Sequence, residues 1–207
     1  MKKELNIENW ARKEHFKFFN SFEEPFFGIT AAIDCSVAYQ KCKERNNSFF
    51  LYYLHKSLVA AIGIEPFRYR ISENKVFIYE EIHASATINR PDGTFGFSFM
   101  KYAADFNDFS ALAKEEIARV QQSKGLMPEV KAENVIHYSS MPWINFTSIS
   151  HARSFSTPDS CPKITFGQMT TIGNKRSMPV DVHANHALMD GLHVSQFFDA
   201  FQKLMNE

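Results

Sequence analysis

Near the C-terminus, His186-Ala187-Leu188-Met189-Asp190-Gly191 sets an imidazole, a carboxylate and a glycine at H-x-x-x-D-G spacing. The element falls where a strand-like run gives way to a helix-like one. A histidine at a strand end has the freedom to reach a cleft, and Gly191 eases the turn into the next segment. An imidazole titrates near neutral pH and can take the proton of an attacking hydroxyl, chemistry typically worth ~10²–10⁴-fold in rate. Three fixed positions also arise by chance in a chain of this length, so the motif needs companions. Trp10-Ala11-Arg12-Lys13-Glu14-His15-Phe16 and Ser139-Ser140-Met141-Pro142-Trp143-Ile144-Asn145-Phe146 supply them. Asp190 invites a triad reading, a carboxylate orienting the imidazole. His183-x-x-His186, with His193 following, offers imidazoles to a metal. Residues three apart on an extended strand face opposite sides, and no Cys or carboxylate partner has metal-site spacing, so no metal is expected.

The elements that must position these residues follow from periodicity and punctuation. Ile7 to Phe19 reads as a helix with Phe16, Phe18 and Phe19 near its end, and Phe27 to Ile33 as a strand. Asp34 is placed to cap a helix carrying Val37, Tyr39, Cys42 and Arg45, and Ser48 to cap a long apolar helix running to Ile62. Pro66 ends that helix. Phe67–Ile71 and Lys75–Tyr79 flank a short polar connection that suits a hairpin. Ala84–Asn89 and Thr94–Tyr102 flank Arg90-Pro91-Asp92-Gly93, a stronger turn signal. Asp105 to Lys124 reads as a helix ended by Gly125, and Leu126 to Asn134 as a polar connection. Strands are expected near Val135–Ser139, Ile144–Ser148, Ile164–Thr171 and Met178–His186, and a final amphipathic helix from Gly191 to Met205. No repeat or linker divides the chain, so a single α+β domain, 1–207, is expected.

Composition narrows the function classes. Lys plus Arg equals Asp plus Glu, 23 each, so no global field points to nucleic acid or an anionic membrane. Lys56 interrupts the longest apolar run before it approaches membrane-spanning length. Three cysteines, Cys35, Cys42 and Cys161, lack metal-ligand spacing and leave one thiol over. With no signal-like N-terminal run, they favour a reducing cytoplasm. Phenylalanine accounts for 21 of the 207 residues. Rings in that number fill a core, and some can line a pocket for a planar or greasy substrate.

Read together, these segments resemble the chloramphenicol acetyltransferase family. The likeness runs nearly end to end, through Asn9 to Phe16, Phe67-Arg68-Tyr69-Arg70, Pro162-Lys163-Ile164-Thr165 and His186 to Val194. The H-x-x-x-D-G element also occurs in dihydrolipoyl acyltransferase cores, which share the fold. It therefore identifies CoA-linked acyl transfer more securely than the acceptor. The resemblance implies a two-layer sandwich, a mixed β-sheet with helices packed on one side. It also implies a homotrimer with active sites between subunits, His186 facing Ser139, Thr165 and the Phe19 wall from the neighbouring chain.

The resemblance further implies acetyl-CoA as cosubstrate with no permanently bound cofactor, and O-acetylation of chloramphenicol or a related small acceptor. His186 matches the general base that takes the hydroxyl proton directly, with no acyl-enzyme. Ser139 matches the donor that stabilises the tetrahedral oxyanion; alternation points its neighbour Ser140 to the opposite face. Thr165 matches a threonine that holds a water near the same oxyanion, though threonine also simply suits a strand. In the family Asp190 pairs with the arginine matched by Arg12, holding the N-terminal helix against the catalytic loop, and that structural role is expected here over the triad. Phe19 stands where a tyrosine hydroxyl bonds the antibiotic, and Asn185 where a second histidine is usual. Phe18, Phe27 and Phe97 join Phe19 as substrate-binding candidates, with Phe97 shortening the site. Trp143 is either a wall of the CoA channel or a core indole. Other readings are an acyltransferase for a different alcohol or thiol, and a non-catalytic trimer that binds an aromatic ligand or a metal.

Overall fold

The computed structural model describes residues 1–128, 130, 132–155 and 159–207. Its centre is a seven-stranded mixed sheet in the order β2-β10-β8-β7-β5-β6, with β9 pairing along β10. These strands are β2 (Phe26–Asp34), β5 (His83–Asn89), β6 (Phe95–Phe97), β7 (Val135–Ser140), β8 (Lys163–Phe166), β9 (Thr170–Ile172) and β10 (Lys175–Asn185). The β5–β7 and β7–β8 pairs are parallel and the others antiparallel.

Alternation along each strand gives the sheet two unlike faces. Met178, Val180, Val182 and Ala184 of β10, Ile164 and Phe166 of β8, and Ile136 and Tyr138 of β7 lie in one core. That core includes side chains of the helices α2 (Ser36–Glu44), α3 (Phe49–Ile62), α4 (Phe106–Gln122) and α5 (Gly191–Met205). The intervening residues, Asp181 and His183, Lys163 and Thr165, His137 and Ser139, occupy the other face.

The helices form where capping and apolar spacing agree. In α5, Asp190 accepts from the backbone N–H of Leu192, and Val194, Phe197, Phe201 and Met205 bury one stripe. Ser48 caps α3, which buries residues around most of its circumference because α2, α4 and α5 all pack on it.

A second, three-stranded sheet has the order β1-β4-β3, from β1 (Lys2–Glu4), β3 (Tyr69–Ser72) and β4 (Lys75–Tyr79). Its tight hairpin puts Glu73 and Asn74 at φ 51° and 58°, the left-handed turn that matches strand twist. Helix α1 (Lys13–Phe19) packs here, and Phe16, Tyr69, Val76, Ala187 and Leu188 form a separate core. Buried Arg70 ties this sheet to the large one by donating to the carbonyl oxygen of Val135, where β7 begins.

Several expected elements are revised. Only Lys13–Phe19 of the first segment is α-helical; Ile7–Asn9 is a 3₁₀ turn, and Trp10 is extended. Asp34 still caps α2 by accepting from Ser36, but lies one residue before the N-cap position. Glu65–Arg68 is a 3₁₀ turn that shortens the strand expected from Phe67. The strand expected over Thr94–Tyr102 ends at Phe97; Ser98 bonds Ala86 through both its own N–H and its Oγ, and pairing beyond it is an isolated Ala84–Met100 bridge.

Helix α4 ends at Gln122, with Ser123 as its C-cap, so Gly125 lies beyond it. Ile144–Ser148 is not a strand. Pro142 breaks the run, and Ile144 is exposed, contributing one carbonyl to Gln168. The strand expected at Ile164–Thr171 is divided at Gly167, where a Cβ would sit 2.5 Å from Pro179 Cγ. The connection expected at Leu126–Asn134 includes residues 129 and 131, which lie outside the described residues. No helix among the described residues is long and apolar enough to cross a membrane.

Candidate active site

His186 is the first residue past β10, and its backbone is held from two directions. Its N–H donates to the carbonyl of Pro25 at 2.8 Å, and its carbonyl accepts from Arg12 Nη2 at 3.2 Å. Ala187 and Leu188 are buried in the small-sheet core, so the turn carrying the imidazole is fixed by packing. Arg12 Nη1 also donates to Asp190 Oδ2 at 2.5 Å. Asp190 is thus shared between the α5 cap and α1, and His193 Nδ1 accepts from its N–H.

The His186 ring stacks on Phe19 of the same chain, with centroids 4.0 Å apart and planes inclined by 2°, and Phe27 lies 4.6 Å away. His186 Nδ1 is buried without a hydrogen-bond partner among the described residues. Among the described residues, the contacts with Phe19 and Phe27 position that ring.

On the polar face of the sheet, Ser139 and Thr165 are level neighbours on β7 and β8. Ser139 lines a cavity of about 500 Å³ together with Thr87, Phe97, His137, His151 and Lys163. The lining mixes apolar side chains, Phe95, Phe97, Phe99 and Met127, with these polar ones, as a site for a small amphipathic molecule requires. Ser140 points the other way, within 3.1 Å of Tyr53 on α3. Thr165 is fully buried, its Oγ1 3.4 Å from His151 Nε2. Burial, then the nearby charge of His183, lowers the His151 pKa to about 4. Burial, then Lys163, lowers that of His137 to about 4 as well. Both imidazoles are neutral at pH 7.

His186 does not line this cavity. It lies five residues along β10 from Asp181, which is level with Thr165 and through it with Ser139. At ~3.3 Å per residue and ~4.8 Å per strand step, roughly 19 Å separates His186 from Ser139 within one chain. A base and an oxyanion donor serving one carbonyl cannot stand that far apart.

Residues 2–202 match the sequence profile described as "Chloramphenicol acetyltransferase". The chain belongs to that family. It is accordingly an acyltransferase. A chloramphenicol acetyltransferase of Klebsiella sp is 26% identical over 205 residues, spanning 98% of this chain and 93% of the relative. A solved structure described as chloramphenicol acetyltransferase superposes with a TM-score of 0.88 at 30% identity, covering 99% of this chain and 100% of that one. The truncated catalytic core of the 2-oxoacid dehydrogenase complex from Thermoplasma acidophilum shares the fold, with a TM-score of 0.68 at 14% identity and 95% of each chain covered. The mixed sheet with helices on one face is the architecture that the family resemblance implied.

Of the residues expected at the site, the structure brings Arg12, Asp190, Phe19, Phe27 and His186 together at one edge, and Ser139, Thr165 and Phe97 together on the polar face. Phe19 stacks on its own chain's His186, which corrects the placement of that wall on the neighbouring chain. Asp190 engages Arg12 and His193, not the His186 ring, so the triad geometry is not formed. Phe18 is 61% exposed and touches Phe19 and Phe22. Trp143 is 69% exposed in the turn after β7, so it is not a core indole.

Sequence reasoning missed His151, Asp181 and His137. Asp181-x-His183 carried a signal, because alternate strand residues share a face. His151 carried none, because it lies in an irregular segment.

Proposed function

We propose that this chain transfers the acetyl group of acetyl-CoA to a hydroxyl of chloramphenicol or a related small acceptor. His186 takes the hydroxyl proton as the oxygen attacks the thioester carbonyl, and Ser139 donates to the oxyanion that forms. Thr165 supports the same oxyanion, and CoA leaves as the thiol. Nothing is carried on the enzyme, so both substrates must be held at once, and acetyl-CoA acts as a cosubstrate with no permanently bound cofactor.

One observation carries the reading. His186 and Ser139 are roughly 19 Å apart in a chain whose folded elements match the family throughout. A second copy that sets its His186 edge over this cavity completes the site, and a closed ring of three gives three such sites. Phe19, Phe27 and Phe18 travel with His186, while Phe97 lines the opposite wall and Trp143 flanks the CoA entrance. The Klebsiella relative is named for acetylating chloramphenicol; here Phe19 supplies a ring and no hydroxyl. Relaxed acceptor choice follows, because a site that lacks the donor cannot discriminate through it.

The test is thiol release from acetyl-CoA with chloramphenicol and with a panel of other alcohols and thiols. Chloramphenicol-dependent release supports the reading. Release only with another alcohol leaves acyl transfer and removes the antibiotic, and release with none removes the reaction.

A further inference from the structure

Asp181, His183 and His151 meet on the polar face of the sheet. Asp181 is 2% exposed, yet the groups recorded against its carboxylate are a hydroxyl and two imidazoles. Thr30 Oγ1 donates to Oδ2 at 2.7 Å, His183 Nδ1 lies 2.6 Å from Oδ1, and His151 Nε2 lies 4.0 Å from Oδ1. The neighbouring cations are engaged elsewhere: Lys163 with Asp159 at 2.5 Å, and Arg153 with Glu24 at 2.8 Å. A carboxylate taken this far from water is costly unless something neutralises it, and its partner at 2.6 Å is His183, either as an imidazolium or as a second ligand to a shared cation.

We propose that His151, Asp181 and His183 form a three-ligand site for a divalent transition metal of the zinc class. Their donor atoms all lie within 4.8 Å of one another. Zinc bonds of ~2.0–2.2 Å in a tetrahedron need donors roughly 3.3 Å apart. Small side-chain rotations bridge that difference. Two imidazoles and one carboxylate suit zinc and disfavour magnesium or calcium, which seek oxygen alone.

The surroundings are built for these donors. Thr30 fixes the carboxylate from behind, as outer groups orient metal ligands. Gly28 makes room for His183, since a Cβ there would sit 2.5 Å from its Cε1. A cavity of about 190 Å³, lined by His151, His183, Ser150 and Glu24 together with the cations Arg153 and Lys163, leaves the fourth position to water or, beside those cations, a small anion. On coordination the metal takes His183 Nδ1, and the ring carries its proton on Nε2. The ion joins β10 to the irregular segment bearing His151, which also lines the larger cavity. Its role is a staple for that wall, which lies beside Thr165, whose Oγ1 is 3.4 Å from His151 Nε2; metal uptake itself can be measured without the acetyl-transfer reaction.

The experiment uses untagged full-length protein stripped with chelator and then titrated with Zn(II) or Co(II) alone. The wild type should bind one equivalent per chain. Its melting temperature should rise by about 5–10 °C at a hundredfold excess over Kd. His151→Gln, His183→Gln and Asp181→Asn should each lower affinity at least tenfold and lose the shift. No uptake by the wild type, or uptake undiminished in His151→Gln and His183→Gln, overturns the proposal. Should a variant fail to fold without metal, the wild-type Co(II) spectrum decides: intense tetrahedral bands support the site, and a weak octahedral spectrum overturns it.

Discussion

At His186 the structure shows a ring positioned by stacking, with Phe19 parallel to it at 4.0 Å and Nδ1 left without a partner among the described residues. His186→Ala should abolish acceptor-dependent CoA release while leaving circular dichroism and oligomer size unchanged. Ser139→Ala should slow turnover about 10²-fold, the scale of a lost oxyanion donor. Because Phe19 touches the same imidazole, Phe19→Tyr adds a hydroxyl without removing the stack. Chloramphenicol kcat/KM should improve a few-fold to about tenfold, chiefly through KM, as one neutral hydrogen bond of ~0.5–1.5 kcal/mol allows. Steady-state kinetics at fixed acetyl-CoA measure it, and an unchanged KM would count against the Phe19 assignment. The placement of Ser139 on β7, of Thr165 on β8 and of His186 just past β10 was legible because recognisable motifs bound each. His151 was not legible, since only tertiary folding brings an irregular segment to a strand thirty residues later.

Among the elements, α1, the small sheet and the His186 turn behave as one unit, joined by the Arg12–Asp190 pair and the core of Phe16, Tyr69, Ala187 and Leu188. Arg12→Ala and Asp190→Ala should each lower thermal stability and activity together. The double variant should lose less than the sum, with a coupling of ~0.5–3 kcal/mol in a denaturation cycle. Burial alone would raise the Asp190 pKa; the hydrogen bond from Arg12 and the charges of His193 and Arg12 outweigh it and hold the pKa below 3.8.

A carboxyl depressed in the fold contributes stability above its unfolded pKa and loses it as pH falls through the folded one. Wild type should therefore lose stability more steeply than Asp190→Asn as pH drops below about 4. Parallel melting curves would contradict this. The sequence displayed α3, α5 and β10 well, because capping residues and apolar spacing agreed there. It misplaced a strand on Ile144–Ser148, where apolar residues follow Pro142 and stay outside any ladder.

For the whole molecule, the His186 edge and the Ser139 cavity of one chain stand roughly 19 Å apart, and that separation is the structural reason for proposing a ring of subunits. The sequence displayed the fold through an end-to-end family likeness, and a single chain's register then shows that its His186 and Ser139 cannot serve the same carbonyl. The direct measurement is subunit complementation between His186→Ala and Ser139→Ala, each weakly active or inactive alone. Equal amounts are unfolded together, refolded and assayed for CoA release. An interface pairing an intact His186 from one variant with an intact Ser139 from the other is a wild-type site. Random assembly of closed rings makes about a quarter of all interfaces of that kind. The mixture should recover about a quarter of wild-type activity per chain, well above either parent. Activity no greater than the average of the two parents, in mixed rings verified by mass, would place both residues in one chain's site and contradict the account.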